Sequence, residues 1–359
     1  MKQKLKKFLR YSGSKFLILK TLVRVYLVKI RNLFVFYERQ KSVSKTLVKG
    51  SYQHEFVMLT CSYKRDLERC FNAYQSFENF FVEEVPYYIC VPENDLEFFE
   101  SRFNTGISDK KIEKFPIFMT ESELMRLAGE PADYSVTMPG YYLQDALRLS
   151  FGLTGISRHY FMNDSDGYFI KKFSKDSLYK NGQLMFSFHE VYHNAKSSIE
   201  RETSGFEHGN KEFMDLYLRY YDIERSIKCI LKSDSDKFSN YTCTPTSFDS
   251  DIIKEMRGYI VKEGFGNFTN IIRMVPFAFQ WYGEYLMKTN RLIPQPFLFF
   301  TVEPHIVELR VPPSHFDDPL KVGIQYQSVD YSGGSGGVPH DRVKPEIIFI
   351  SETNELEDK

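Results

Sequence analysis

The chain has 359 residues, 42% hydrophobic and 26% charged, with 47 Lys and Arg against 47 Asp and Glu. That length and apolar share supply one large or two small domains with a true core, and they exclude a disordered chain. Zero net charge argues against a bulk nucleic-acid binder, and aromatic content is high at 16%, with 33 Phe and 24 Tyr.

Positive charge gathers at the start. Residues 1–40 carry eleven Lys and Arg against Glu38 alone, so the rest of the chain is acidic on balance. Cations interrupt the apolar stretches Phe16–Leu19, Val25–Val28 and Leu33–Tyr37. None approaches the roughly 18 apolar residues of a spanning helix, and no small-residue cleavage site marks a signal peptide. The segment reads as a basic amphipathic helix on an anionic membrane surface. A helix packed on the domain, or a partner-binding segment, is the alternative. The expected location is cytoplasmic, peripheral on the inner face of the membrane. Cys61, Cys70, Cys90, Cys229 and Cys243 show no C-x-x-C pairing and read as reduced thiols.

Residues 41–54 are polar and read as a linker. The main domain is expected over 55–328, and a Gly-rich, acidic tail over 329–359. Glu55–Ser62 reads as a buried strand, Asp66–Phe81 as a helix and Val85–Val91 as a second strand. A further helix–strand passage fills 95–120. The apolar spacing of Leu143, Leu147 and Phe151 predicts a helix over 139–158, with Gln144 and Arg148 sharing a face at i, i+4. Leu184–Phe188 reads as a strand, and 205–230 and 250–263 as helices. Such alternation predicts an α/β fold, a mostly parallel sheet flanked by helices, with ligands beyond the carboxyl ends of the strands. Ser62, Asp95 and Asp164 stand at or just past such ends.

Asp-Ser-Asp occurs three times. Asp234-Ser235-Asp236 has no apolar flank and reads as a solvated loop. Asp249-Ser250-Asp251 precedes an apolar helical run and reads as a helix N-cap. Asp164-Ser165-Asp166 alone reads as following a strand, and an extended chain there would deliver both carboxylates to one spot. Oxygen ligands suit a hard divalent cation that also bridges to a diphosphate. A nucleotide-sugar transferase needs such a site, because its leaving group carries charge that a metal neutralises. A polar turn is the plain alternative.

Other motifs compete. Gly333-Gly-Ser335-Gly-Gly337 has the G-x-S-x-G letters of a hydrolase elbow but lacks the strand, the helix and the downstream triad partners; it reads as a flexible linker whose amides can approach phosphates. His340 follows it, either as an exposed tail residue or as a ligand to a metal or a diphosphate. His189-Glu190-Val-Tyr-His193 matches the H-E-x-x-H zinc motif, keeping a zinc metalloprotease open. The segment follows a strand, though, and Val191 and Tyr192 are β-prone. Glu284 is an acid inside the aromatic run Phe277–Leu286, suited to base or acceptor-orienting work if buried.

Taken in order, Thr60-Cys-Ser62-Tyr63-x-x-Asp66, Val91-Pro-x-x-Asp95, Gln144-x-x-x-Arg148-Leu, Asp164-Ser-Asp166 and Trp281-Tyr-Gly-Glu284-Tyr285 resemble the bacterial GT-A-fold glycosyltransferase-like proteins long grouped as a domain of unknown function. The resemblance covers roughly residues 55–300 and implies a GT-A-like (Rossmann-like) fold. It implies a Mn²⁺ or Mg²⁺ ion on Asp164 and Asp166, and a nucleotide-sugar donor lined by Ser62, Tyr63, Asp66, Asp95 and Asp164. Gln144 and Arg148 would approach the donor sugar or phosphates, and Glu284 the acceptor, a cell-surface glycan or a lipid-linked molecule. The family pattern has Gln-Gln-x-x-Lys-Leu where this chain has Gln144-Asp145 and Arg148. A membrane-associated binding protein without turnover is the rival reading.

Overall fold

The computed structural model describes residues 51–131, 138, 140–187, 190–192, 223–233, 238–240, 245–293, 295, 299–304 and 322–327. The basic leader, Asp234 to Asp236, His189, His193, Ser335 and His340 lie outside the described residues. Among those described, no helix is long and apolar enough to cross a membrane.

In chain order the strands are β1 (His54–Cys61), β2 (Tyr87–Val91), β3 (Ile117–Thr120), β4 (Ser157–Met162), β5 (Gly167–Phe169), β6 (Tyr179–Lys180), β7 (Gln183–Leu184), β8 (Glu190–Tyr192), β9 (Phe238–Asn240), β10 (Thr246–Asp249), β11 (Phe300–Pro304) and β12 (Gly323–Gln327). The helices are α1 (Leu67–Phe80), α2 (Leu96–Ser108), α3 (Glu121–Ala128), α4 (Gly140–Phe151), α5 (223–231), α6 (Ser250–Lys262), α7 (Phe268–Met274) and α8 (Ala278–Lys288). The region expected as one domain divides into two units. One takes Val48–Tyr179, Cys243–Ala278 and Phe299–Lys359; the other takes Met1–Leu47, Lys180–Thr242 and Phe279–Leu298.

The first unit is built on a five-stranded sheet in the order β10-β4-β1-β2-β3. β1 pairs in parallel with β2 and β4, and β2 with β3, while β10 runs antiparallel to β4. Pleating sends alternate side chains to opposite faces. On β2, Tyr87 meets Tyr74 and Phe77 of α1, with ring centroids 5.1 and 4.8 Å apart. Its neighbour Tyr88 meets Phe151 of α4 on the other face, at 5.9 Å. Helices thus cover both faces, as a central strand of five buried residues requires. Cys61 ends β1 opposite Cys90 of β2, and both are buried. A smaller sheet, β11-β12-β5, sets Phe169 and Phe300 together with centroids 5.2 Å apart.

Several boundaries differ from the sequence reading; the strand expected over Leu184–Phe188, for one, is the two-residue β7 ending at Leu184. The first strand begins at His54, and the Tyr52 hydroxyl already donates to Asp251 at 2.5 Å, so the expected linker ends sooner. The helix expected to run to 158 stops at Phe151. The chain turns at Gly155, whose φ of +78° suits a residue without a Cβ, and Ser157 starts β4.

In the second unit, Phe186 packs its ring on Tyr282 at 5.0 Å and exchanges backbone bonds with Ile293 and Gln295, at 2.8 and 2.9 Å. β8 and β9 form an antiparallel pair there. Glu190, Val191 and Tyr192 are therefore strand residues, whereas the zinc motif needs its spacing wound on a helix.

Candidate functional site

The strand order sets the location. From β1 the chain steps to β2 and β3 on one side, then returns to place β4 on the other. The reversal between β1 and β4 is a topological switch point, where a crevice opens beyond the carboxyl ends of the strands. Ser62 follows β1, and Asp164-Ser165-Asp166 follows β4.

The two carboxylates are gathered by a tight turn, not by the extended chain expected. Gly167 N–H donates to Asp164 O at 3.0 Å, closing the turn. Asn163, fully buried, braces it: its Nδ2 donates to Gly167 O at 2.9 Å, and its N–H donates to Leu59 O of β1 at 2.9 Å. A Cβ on Gly167 would stand 2.2 Å from Asn163 Oδ1, so only glycine fits there. Ser62 Oγ reaches toward Ser165 Oγ at 3.4 Å, linking the two strand ends.

Asp166 Oδ1 is enclosed and makes no hydrogen bond. Burial first, then the charges of Asp164 and Asp66, hold the Asp166 carboxyl well above the usual carboxylate range, with Arg69 opposing. Asp66 stands ahead of α1 and pairs with Arg69 at 3.1 Å. Beside it, burial and then the Asp66 charge push the Tyr63 hydroxyl up to about 12. Asp95 is drawn in from the end of β2, accepting the Lys64 N–H at 2.7 Å, and Lys64 Nζ lies 3.2 Å over the Phe98 ring.

Arg148 of α4 reaches two carboxylates. Its Nη2 donates to Asp164 Oδ1 at 2.5 Å and its Nη1 to Asp145 Oδ1 at 2.9 Å. Burial works against its charge, yet Asp164 and Asp145 together hold its pKa above the ordinary value. Gln144 is half-buried on the same helix. Among the described residues, no group of three or more His, Cys, Asp or Glu side chains is gathered to hold a metal ion. A cation at Asp164 and Asp166 would rest on few protein ligands.

Eight expected site residues therefore fall in this unit: Ser62, Tyr63, Asp66, Asp95, Gln144, Arg148, Asp164 and Asp166. Glu284 lies on α8 in the other unit and is fully buried, the condition its expected role required. The second Asp-Ser-Asp copy also follows a strand, because β10 ends at Asp249. That strand runs antiparallel, pairing Asp249 with His159, so it points away from the crevice. Asp249 caps α6 as expected, accepting the Asp251 and Ile252 N–H groups at 2.8 and 3.3 Å. Sequence reasoning missed Arg69, Asn163 and Asp145. Their signals were faint: a cation one turn past Asp66, an Asn–Gly bracket around the acidic pair, and an acid inside an apolar helix stripe.

A family model described as a family of unknown function (DUF6492) matches residues 56–293. No curated protein matches the sequence. Among solved structures, mouse xyloside xylosyltransferase 1 in its apo form is similar at 8% identity and a TM-score of 0.37, over 67% of this chain and 83% of that one. The galactosyltransferase LgtC, in complex with donor and acceptor sugar analogs, is similar at 10% identity and a TM-score of 0.36, over 80% and 93%. The mannosyltransferase Ktr4p from S. cerevisiae is similar at 13% identity and a TM-score of 0.34, over 68% and 72%.

Proposed function

We propose, for a chain that belongs to the family of unknown function DUF6492, that it is a GT-A-like glycosyltransferase moving a sugar from a nucleotide-sugar donor to a glycan or lipid-linked acceptor. The observation that carries this is the acidic turn Asp164-Ser165-Asp166 at the β1/β4 switch point, with Asp166 Oδ1 buried and unbonded. A buried carboxylate oxygen without a donor is costly to maintain. A cation offsets that cost, and the oxygen donor set fits Mg²⁺ or Mn²⁺. Such ions commonly take one or two carboxylates and complete their shell with water and phosphate oxygens.

In this reading Asp164 and Asp166 hold the ion. Bound there, the metal supplies charge neutralisation for the departing nucleoside diphosphate. Ser62, Tyr63, Asp66 and Asp95 line the nucleotide side. Gln144 and Arg148 approach the donor sugar or phosphates. Glu284 serves the acceptor, and His340 is a further candidate ligand. The basic leader holds the protein on an anionic surface, where lipid-linked acceptors lie.

A panel of nucleotide sugars with Mn²⁺, followed by release of nucleoside diphosphate, tests the assignment. Asp166→Asn removes a charged ligand at constant size and is expected to abolish release while leaving the melting temperature unchanged or raised. Glu284→Gln is expected to reduce transfer to an acceptor far more than donor binding. Full release by the Asp166 variant refutes the reading. Mn²⁺-dependent donor binding with no release by the native chain assigns a binding protein instead.

A further inference from the structure

Asp145 belongs to none of the roles above, yet it joins Arg148 to Phe277 in a buried chain of contacts that ends at Asp164. Its Oδ1 accepts from Arg148 Nη1 at 2.9 Å, and Arg148 Nη2 donates to Asp164 Oδ1 at 2.5 Å. Its Oδ2 accepts the Phe277 N–H at 2.9 Å, immediately before α8. The side chains of Asp145 and Arg148 are 8% and 11% exposed, and that of Asp164 is 21% exposed. Phe277 has a φ of +101°, a conformation that L-residues avoid and that needs an external hold. Arg148 is further anchored through its carbonyl, which accepts from the Tyr160 hydroxyl at 2.7 Å.

Charge explains why a second acid is needed. A guanidinium pressed on Asp164 alone would compete with any cation for that carboxylate. A second carboxylate on the same guanidinium divides its pull, and it fixes the planar fork so that one nitrogen faces Asp164. We propose that Asp145 is a positioning residue: through Arg148 it orients Asp164 and leaves that carboxylate available to a divalent cation. This rests on the cation reading of the Asp164–Asp166 turn.

The test is titration of the full chain with Mn²⁺ alone, reading free ion by its spin-resonance signal, with a melting curve for each variant. Asp145→Asn keeps an acceptor for Phe277 and removes the charge. It is expected to weaken Mn²⁺ binding about tenfold or more, the usual effect of losing a partner that orients a ligand. Asp145→Glu is expected to restore most of the affinity. In an Arg148→Gln background, Asp145→Asn is expected to change affinity less than about threefold, because the link is already cut. Asp145→Ser removes the same charge where the Asn variant fails to fold. Native affinity in the Asp145 variant, or an equal loss with and without Arg148, overturns the proposal while leaving the cation site standing. Failure of the native chain to bind Mn²⁺ at all, with Asp166→Asn no different, overturns the site and the proposal together.

Discussion

Replacing Gly167 with Ala tests whether the acidic turn is held rigid. The added Cβ would meet Asn163 Oδ1 at 2.2 Å, Asn163 Cγ at 3.2 Å and Asp164 O at 3.3 Å. An ordinary contact needs about 3.4 Å, so the Asn163 oxygen must retreat by roughly 1.2 Å (3.4 less 2.2). Asn163 has no room to do so, since it is fully enclosed and its Nδ2 is bonded to Gly167 O. Overpacking of this kind costs about 1–3 kcal/mol. Losing the brace adds about 1 kcal/mol. The expected destabilisation is therefore about 2–4 kcal/mol, a large part of a domain's usual margin. Urea denaturation of the native chain and the variant measures it directly, alongside Mn²⁺ binding. Asn163→Ala combined with Gly167→Ala removes the clash, so the double variant should lose less than the sum of the singles. A Gly167→Ala protein within about 0.5 kcal/mol of the native chain, with unchanged Mn²⁺ binding, refutes the idea that Asn163 and Gly167 fix the carboxylates.

Burial, then Glu93 and Asp95, raise the Glu121 carboxyl from 4.5 to about 7. The folded state therefore binds the extra proton between those values, and stability falls as pH rises from about 4.5 to 7. Glu121→Gln is expected to exceed the native chain by about 1–2 kcal/mol at pH 8, after discounting for partial exposure, and the gap should close near pH 5 in paired denaturation curves. Asp249→Asn should cost under about 1 kcal/mol by the same method and leave diphosphate release intact, since Asn also caps helices well; Asp249→Ala should cost about 1 kcal/mol or more. Deleting residues 1–40 should abolish co-sedimentation with anionic vesicles, and in the full chain that co-sedimentation should weaken with salt; binding unaltered by the deletion would count against a membrane-surface leader.

The parts of the fold carried by local pattern were legible. β1 and β2 are continuous apolar runs bounded by polar residues, and the expected strands at 55–62 and 85–91 lie within two residues of them at each end. The stretch from 139 to 158 misled because Leu153 and Ile156 keep a helical spacing after the helix has ended, and the Gly155 turn interrupts it without a proline. β10 has a single large apolar residue, Phe248, and exists because β4 offers it an edge, which no local pattern records. At the site, the residue types that face the crevice were readable from motif order. The residues that hold them were not. Asp145 matters through a partner 132 positions away, Asn163 through its bond to Leu59 of β1, and Arg69 through the Asp66 and Asp166 charges, and only the folded chain brings those groups together.

The register that sets Cys61 opposite Cys90 turns the floor of the crevice into its own reporter. Cys61, Cys70 and Cys90 are sealed, and Cys229 is exposed. Burial holds the Cys70 thiol up at about 12, and a hydrogen bond between Cys90 and Cys61, together with burial, holds the Cys90 thiol higher than usual, so neither forms thiolate readily. An alkylating reagent should take Cys229 at once and reach Cys61 and Cys90 only when β1 and β2 part. The lag in their labelling then measures how often the strand ends beneath Ser62 breathe, residue by residue and without a substrate. Because β1 and β2 both lie inside the sheet, away from its edges, that opening should be slow, and ligands that clamp the β1–β4 mouth should lengthen the lag.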